Sequence, residues 1–249
     1  MSASASPAAP RLPTRPSLPP EPTILALGGH FMEPGDPLDD FLLELTGKER
    51  PRVLLVPTAA GDGDALIVRF YAAFGARSQA SHLKLFGIPP PDLRGFVLEQ
   101  DAIFVSGGNT ANMLAVWGLH GLDAILREAW ERGIVLAGSS AGSICWFDAG
   151  VTDSFRVELD GIDCLGFLPG SNCPHYDGEE QRRPAYRRLL DEGFPPGLAA
   201  DDRVGLLFRG LDLVEAVTSR SDGAGAYRVS RDGEERIEPR RLPFSRGGE

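Results

Sequence analysis

Gly133-Ile134-Val135-Leu136-Ala137 runs directly into Gly138-Ser139-Ser140-Ala141-Gly142, so a continuous apolar stretch ends at a turn of small residues only. An apolar, helix-compatible segment follows. Because the apolar positions are consecutive rather than alternating, the stretch suits a strand covered on both faces. The same arrangement recurs upstream. Thr23-Ile24-Leu25-Ala26-Leu27 ends at Gly28-Gly29, and Arg52-Val53-Leu54-Leu55-Val56-Pro57 ends at Thr58-Ala59-Ala60-Gly61. Ala102-Ile103-Phe104-Val105 ends at Ser106-Gly107-Gly108-Asn109-Thr110.

Helix-like sequence lies between these runs. Asp64 to Phe74 carries Leu66, Ile67, Phe70, Tyr71 and Phe74 at helical spacing, and Thr110 to Trp117 and Leu122 to Arg132 continue the alternation. Strands alternating with helices predict βαβ units and a parallel sheet. Ligands then bind beyond the carboxyl ends of the strands, where the small-residue turns sit.

From Val204 the pattern changes. Val204 to Phe208, Leu213 to Val217 and Gly225 to Val229 are short strand-like pieces separated by turn residues, and they predict an antiparallel meander completing the same domain. The expected organisation is a flexible Pro-, Ala- and Ser-rich tail over residues 1–22, one domain over 23–240 and a frayed end over 241–249.

With 249 residues, 42% hydrophobic and 24% charged, the chain has ordinary globular composition and enough length for one sizeable core. A net charge of −10 opposes nucleic-acid binding, since phosphates would be repelled over most of the surface. No apolar run approaches the roughly 20 residues a membrane helix needs, and the first residues lack the apolar core of a secretory signal. The three cysteines, Cys145, Cys164 and Cys173, form no CxxC pair. They predict a reduced, cytoplasmic setting.

Gly138-Ser139-Ser140-Ala141-Gly142 matches G-x-S-x-G in the context that gives the motif meaning, with a strand before and a helix after. Such a turn projects the serine hydroxyl from the sheet, and the helix start behind it offers N–H groups to a developing oxyanion. The bland alternative is a strand-to-helix turn that merely needs small residues. A serine nucleophile needs a base. Of four histidines, His30 and His175 lie in turn-rich contexts, and His175 is downstream of Ser140 in Asn172-Cys173-Pro174-His175-Tyr176. An orienting carboxylate is also needed. Asp148, Asp153, Asp160, Asp163, Asp201 and Asp202 are all in range, and spacing does not choose among them. Gly107-Gly108-Asn109-Thr110 reads either as a second source of oxyanion N–H groups or as a tight turn capped by Asn or Thr. The histidines show no H-x-x-x-H or H-E-x-x-H spacing, so a metalloenzyme is disfavoured and no metal or other cofactor is expected.

Phe104-Val105-Ser106-Gly107-Gly108-Asn109-Thr110, then Gly138 to Gly142, then Cys173-Pro174-His175-Tyr176, resembles in order and spacing the peptidase E family, the aspartyl dipeptidases whose wider clan includes cyanophycinase. The resemblance implies a class I glutamine amidotransferase-like (flavodoxin-like) three-layer α/β sandwich, with a mainly parallel central sheet and a C-terminal antiparallel extension. It implies Ser140 as nucleophile, His175 as general base, and the N–H groups of Gly108 and Ala141 as oxyanion hole. For the acid it implies Asp153, in Val151-Thr152-Asp153-Ser154, ahead of Asp202 in Ala200-Asp201-Asp202. Asn109 and Arg182 are its candidate substrate contacts, the arginine to grip an N-terminal aspartate. For Arg182 the bland alternative is a solvated helix face shared with Arg183, Arg187 and Arg188.

The resulting expectation is a serine peptidase of short peptides, a dipeptidase with preference for N-terminal Asp, acting as monomer or homodimer. A cyanophycinase-like or other amide or ester hydrolase, and a non-catalytic binding protein of the same fold, are the alternatives. A glutaminase fits less well, because that chemistry uses Cys where Ser140 stands.

Overall fold

The computed structural model describes residues 21–30 and 32–244. The tail expected over 1–22 thus lies outside the described residues except for Glu21 and Pro22. In chain order the first half comprises β1 (Thr23–Leu27), α1 (Pro37–Leu45), β2 (Arg52–Val56), α2 (Asp64–Phe74), β3 (Gln79–His82), α3 (Leu93–Leu98), β4 (Ala102–Val105), α4 (Thr110–His120), α5 (Leu122–Glu131), β5 (Val135–Ser139) and α6 (Ala141–Ile144). The second half comprises β6 (Phe147–Thr152), β7 (Asp160–Asp163), β8 (Leu168–Cys173), α7 (Arg182–Asp191), β9 (Gly197–Ala200), β10 (Val204–Arg209), β11 (Asp212–Thr218), β12 (Ala226–Ser230), β13 (Gly233–Ile237) and β14 (Arg240–Arg241).

An eight-stranded sheet, in the order β14-β11-β10-β1-β5-β4-β2-β3, forms the centre. Its strands β1, β5, β4, β2 and β3 run parallel, while β10 is antiparallel to β1 and β11 to β10. The mixed α/β class and the parallel centre are as expected. The apolar runs are continuous because both faces are covered. Ile24, Leu54, Val56, Ile103, Val105 and Leu136 face a core shared with α4 and α5, whereas Leu25, Val53, Leu55, Phe104 and Ala137 face α1 and α2. All of these side chains are essentially excluded from water. Each of them except Ala137 contributes on the order of 1.5–3 kcal/mol of apolar burial.

The C-terminal region differs from the expected meander. A second, six-stranded sheet has the order β13-β12-β9-β8-β6-β7, with β6, β8 and β9 parallel. β10 and β11 extend the first sheet as foreseen. β12 instead pairs with β9 in the second, because β11 already lies between β10 and β14 and β9 still has an open edge. The packed chain also continues past residue 240. Arg241 pairs with Thr218, and Leu242 is buried, its N–H donating to Thr218 O at 2.8 Å.

The helix after β5 is one turn long and has little strength of its own. Packing holds it in place: Ala141, Cys145 and Trp146 join the larger core, with the Trp146 ring 5.6 Å from Phe167 and 6.4 Å from Trp117. The approach is close. A β-carbon on Gly142 would stand 2.3 Å from Val105 O, backbone that does not give way. Gly142→Ala is therefore expected to lower stability by about 1–3 kcal/mol, read as a lower urea midpoint at unchanged m-value.

Candidate active site

β1, β4 and β5 end on one side of the sheet, and their turns bring the candidate residues together. Ser140 follows β5 with φ 56° and ψ −113°, a conformation rare for a residue with a side chain. It is held by its own amide, which donates to Leu27 O at 3.2 Å, and by its carbonyl, which accepts from Ser143 and Ile144. The small flanking residues are required. A β-carbon on Gly138 would meet Gly142 O at 2.2 Å, and Gly107 lies so close that its own β-carbon would be 3.2 Å from Ser140 Cβ. The Ser140 hydroxyl is half-buried and has no hydrogen-bond partner among the described residues.

His175 also has positive φ, 52°. Its amide donates to Gly28 O at 3.1 Å, next along the chain from the carbonyl that holds Ser140. Its Nδ1 donates to Asp202 Oδ1 at 2.6 Å. A carboxylate on Nδ1 fixes the tautomer in which Nε2 is the free proton acceptor. Of the two candidate acids, the one that sits on the imidazole is Asp202, ranked second from the sequence. Asp153 is exposed, and no described residue bonds to its carboxylate. Its neighbours serve the fold instead, since Ser154 Oγ accepts from the amides of Thr110 and Ala111 at the start of α4.

The adjacent aspartates take opposite electrostatic roles. Asp202 is held below its ordinary pKa first by the hydrogen bond from His175, with Arg220 and Arg182 adding attraction. Asp201 is buried and pushed up by desolvation, and its carboxylate accepts from Gly225 N at 2.7 Å, tying the turn to β12. Several groups that place Asp202 were not foreseen. Its amide donates to Asp177 Oδ1 at 2.9 Å, and Arg220 Nη1 bridges Asp177 Oδ2 at 2.6 Å to Asp202 O at 3.3 Å. Gly29 leaves room for the pair, for a β-carbon there would lie 2.0 Å from Asp202 Oδ1 and 2.7 Å from the His175 ring. In sequence, the only signal for these was the turn chemistry of Gly28-Gly29 and Asp177-Gly178.

Gly108 has φ 139°, and a β-carbon would strike Ala59 O at 2.1 Å. The next amide, Asn109 N, donates to that carbonyl at 2.8 Å, so the loop is pinned on the 3-10 turn Thr58–Ala60. Trp117 Nε1 in turn holds Thr58 Oγ1 at 3.2 Å. The amides of Gly108 and Ala141 donate to no described residue, leaving two donors beside Ser140.

Asn109 and Arg182 are more engaged than expected. Asn109 Oδ1 caps α4 by accepting from Asn112 N, and its Nδ2 donates to Ser154 O at 2.9 Å, so both polar ends are in use. Of its two readings, the helix cap is the one observed. Arg182 is 3% exposed, with Nε on Glu179 Oε2 at 2.7 Å and Nη1 on Val151 O at 3.0 Å. Among its neighbours only Arg188 is a solvated surface residue, paired with Glu192 four positions on. Arg183 lies 4.3 Å over the Tyr176 ring and 4.5 Å over Tyr227, and Arg187 donates to the carbonyls of Ser230 and Arg231.

Of the other three histidines, His82 pairs with Tyr71 and His30 with Asp39, while His120 lies at the end of α4. Among the described residues no group of three or more His, Cys, Asp or Glu side chains is placed to hold a metal ion. None of their helices is long and apolar enough to cross a membrane. All three cysteines are free, and burial pushes the thiols of Cys164 and Cys173 up to about 12.

A strained serine between strand and helix, with unpaired amides next to it and a carboxylate-backed imidazole tied to the adjacent carbonyl at the end of β1, has the geometry of a nucleophile elbow. The sequence profile of peptidase family S51 matches residues 24–215, and the chain belongs to that family. It is a serine-type peptidase. A Bacillus subtilis protein, "Uncharacterized peptidase YgaJ", is 52% identical over 211 residues, covering 83% of this chain and 91% of that one. A Drosophila melanogaster protein, "Probable alpha-aspartyl dipeptidase", is 31% identical over 130 residues, or 50% of this chain and 52% of its own. A solved peptidase from an acI-B1 Actinobacterium shares the fold with a TM-score of 0.68 at 17% identity, covering 88% of this chain and 95% of that one.

Asp202→Asn should lower kcat by about 10²–10⁴-fold, whereas Asp153→Asn should change it by no more than about twofold. Steady-state kinetics on one dipeptide separates the two. The lowered pKa of Asp202 also has a sign. Its stabilisation is complete above the ordinary carboxylate value of 3.8 and is lost as pH falls through the lowered one. Asp202→Asn should therefore flatten the acid limb of a stability-against-pH curve.

Proposed function

We propose that this peptidase cleaves short peptides as a dipeptidase through Ser140, His175 and Asp202. The hydrogen bond from His175 Nδ1 to Asp202, at 2.6 Å, carries the reading, because it aims the free Nε2 at proton transfer. Ser140 Oγ attacks the scissile carbonyl while His175 Nε2 takes its proton. The carbonyl oxygen becomes an oxyanion stabilised by the amides of Gly108 and Ala141. Collapse of the tetrahedral intermediate breaks the C–N bond, and His175 gives the proton to the leaving amine. Water then enters by the same base and releases the acyl group from Ser140. Asp202 stays ionised throughout and stabilises the imidazolium.

For the residue ahead of the cleaved bond we favour aspartate. Arg182 supports this: it is buried, it acts on the Asp202 carboxylate, and its Nη2 has no partner among the described residues. A guanidinium grips a carboxylate with parallel hydrogen bonds. Kinship with an alpha-aspartyl dipeptidase points the same way.

Wild type should take a fluorophosphonate label that Ser140→Ala does not. Ser140→Ala should also lower kcat by about 10⁴-fold or more. Asp-Leu should be cleaved with higher kcat/KM than the isosteric Asn-Leu, and Arg182→Leu should erase that difference. Full activity in Ser140→Ala would defeat the nucleophile assignment; equal rates on the two dipeptides would defeat the aspartate preference alone.

A further inference from the structure

Three residues with side chains adopt positive φ around the site: Ser140, His175 and Arg203. Their amides donate to three successive carbonyls, Leu27 O at 3.2 Å, Gly28 O at 3.1 Å and Gly29 O at 2.6 Å. The geometry between serine and imidazole is thus set by one short stretch of backbone leaving β1. What fixes that stretch comes next in sequence.

His30 N donates to Ser139 Oγ at 2.8 Å, and Ser139 Oγ donates back to His30 O at 3.4 Å. The clasp joins the end of the stretch to the residue before Ser140. The His30 side chain is closed off from water, its exposure 0% and that of Asp39 1%, so it cannot meet a substrate. Its Nε2 donates to Asp39 Oδ1 at 2.6 Å, while Asp39 Oδ2 accepts from Glu33 N at 3.2 Å. On its other side Asp36 Oδ2 lies 3.9 Å from Nδ1 and accepts from Arg203 Nη1 at 2.8 Å. Arg203 is the residue whose amide holds Gly29.

A buried ionisable pair is a poor way to gain stability, since apolar residues of equal volume often serve as well or better. It supplies direction. An apolar side chain in place of His30 could fill the space over Phe104, but it would leave the 28–30 backbone free to shift against α1. Displacements of about 1 Å at a reacting pair cost up to roughly 10²-fold in rate.

We propose that His30 is a positioning residue. Through its buried hydrogen bond to Asp39 it locks residues 28–30, and with them the separation of Ser140 and His175. This rests on the serine-nucleophile reading above.

The test titrates full-length variants with a fluorophosphonate probe, resolving kinact from KI, with thermal midpoints measured in parallel. His30→Leu should lower kinact by about tenfold or more at unchanged KI, while His30→Gln, whose amide reaches the place of Nε2, should recover it to within about threefold. Ser139→Ala, which opens the clasp without touching Asp39, should also lower kinact, and it carries the test if His30→Leu does not fold. Wild-type kinact in a folded His30→Leu or in Ser139→Ala overturns the proposal. So does an equal loss in His30→Leu and His30→Gln. A wild type that takes no label overturns the serine-nucleophile reading, and this proposal with it.

Discussion

The architecture of the site depends on the last carbonyls of β1. Leu27 O and Gly28 O each accept one hydrogen bond from a residue whose backbone is strained, Ser140 and His175 in turn. Such a conformation costs of order 1–3 kcal/mol and persists only where its surroundings over-determine it. Here a parallel sheet supplies the surroundings. β1 is flanked by β5, which carries Ser140, and by β10, which begins after Asp202 and Arg203. The central position of β1 is what lets residues far apart in sequence share one short template.

That template also explains why glycine stands at 28 and 29. Gly28 lies against the Ala200 and Asp201 carbonyls and Gly29 against the Asp202 and His175 side chains, with no space for a β-carbon at either. The constraint is one of approach rather than of φ, for neither has a positive value. At Gly108 both apply, and the result is an amide with no acceptor among the described residues, in a loop that cannot sag back, since Ala59 O already holds Asn109. Donors fixed in this way need no reorganisation when charge develops on the substrate.

The parallel half of the fold was legible because its strands are covered on both faces, which leaves an unbroken apolar run in the sequence. The second sheet was not. Its strands include Asp160–Asp163 and Gly197–Ala200, too short and too mixed to show a period, and β12 chose the edge of β9 over the neighbour its hairpin-like spacing suggested. In the site, the turns that bear Ser140, Gly108 and His175 were legible from their Gly, Ser and Pro residues. The acid was not, since an aspartate that pairs with histidine and one that faces solvent look alike in sequence. Asp201 and Asp202 are adjacent, yet one ties β12 and the other holds His175. Only the direction of each side chain from the turn distinguishes them. The arginines after His175 looked alike in the same way, yet Arg182 is buried, Arg183 packs on Tyr176 and Tyr227, Arg187 holds carbonyls of the second sheet and Arg188 stays exposed.

The second sheet contributes more than a buttress. Its strands β8 and β9 end at Cys173 and Ala200, just ahead of His175 and Asp202. They run parallel and in register, Cys173 opposite Ala199, so His175 and Asp202 leave adjacent strand ends in the same direction. The serine comes from the first sheet and the His–Asp pair from the second, and the two sheets meet through the shared core of Trp146, Phe147, Leu168 and Leu198. The relative placement of Ser140 and the His175–Asp202 pair is therefore a property of the packing between sheets as well as of either strand end. Close-packed interiors resist such displacement because any shift opens voids or clashes. The backbone amides of Ser140, His175 and Arg203, donating to the carbonyls of residues 27–29, add a directional constraint to that packing.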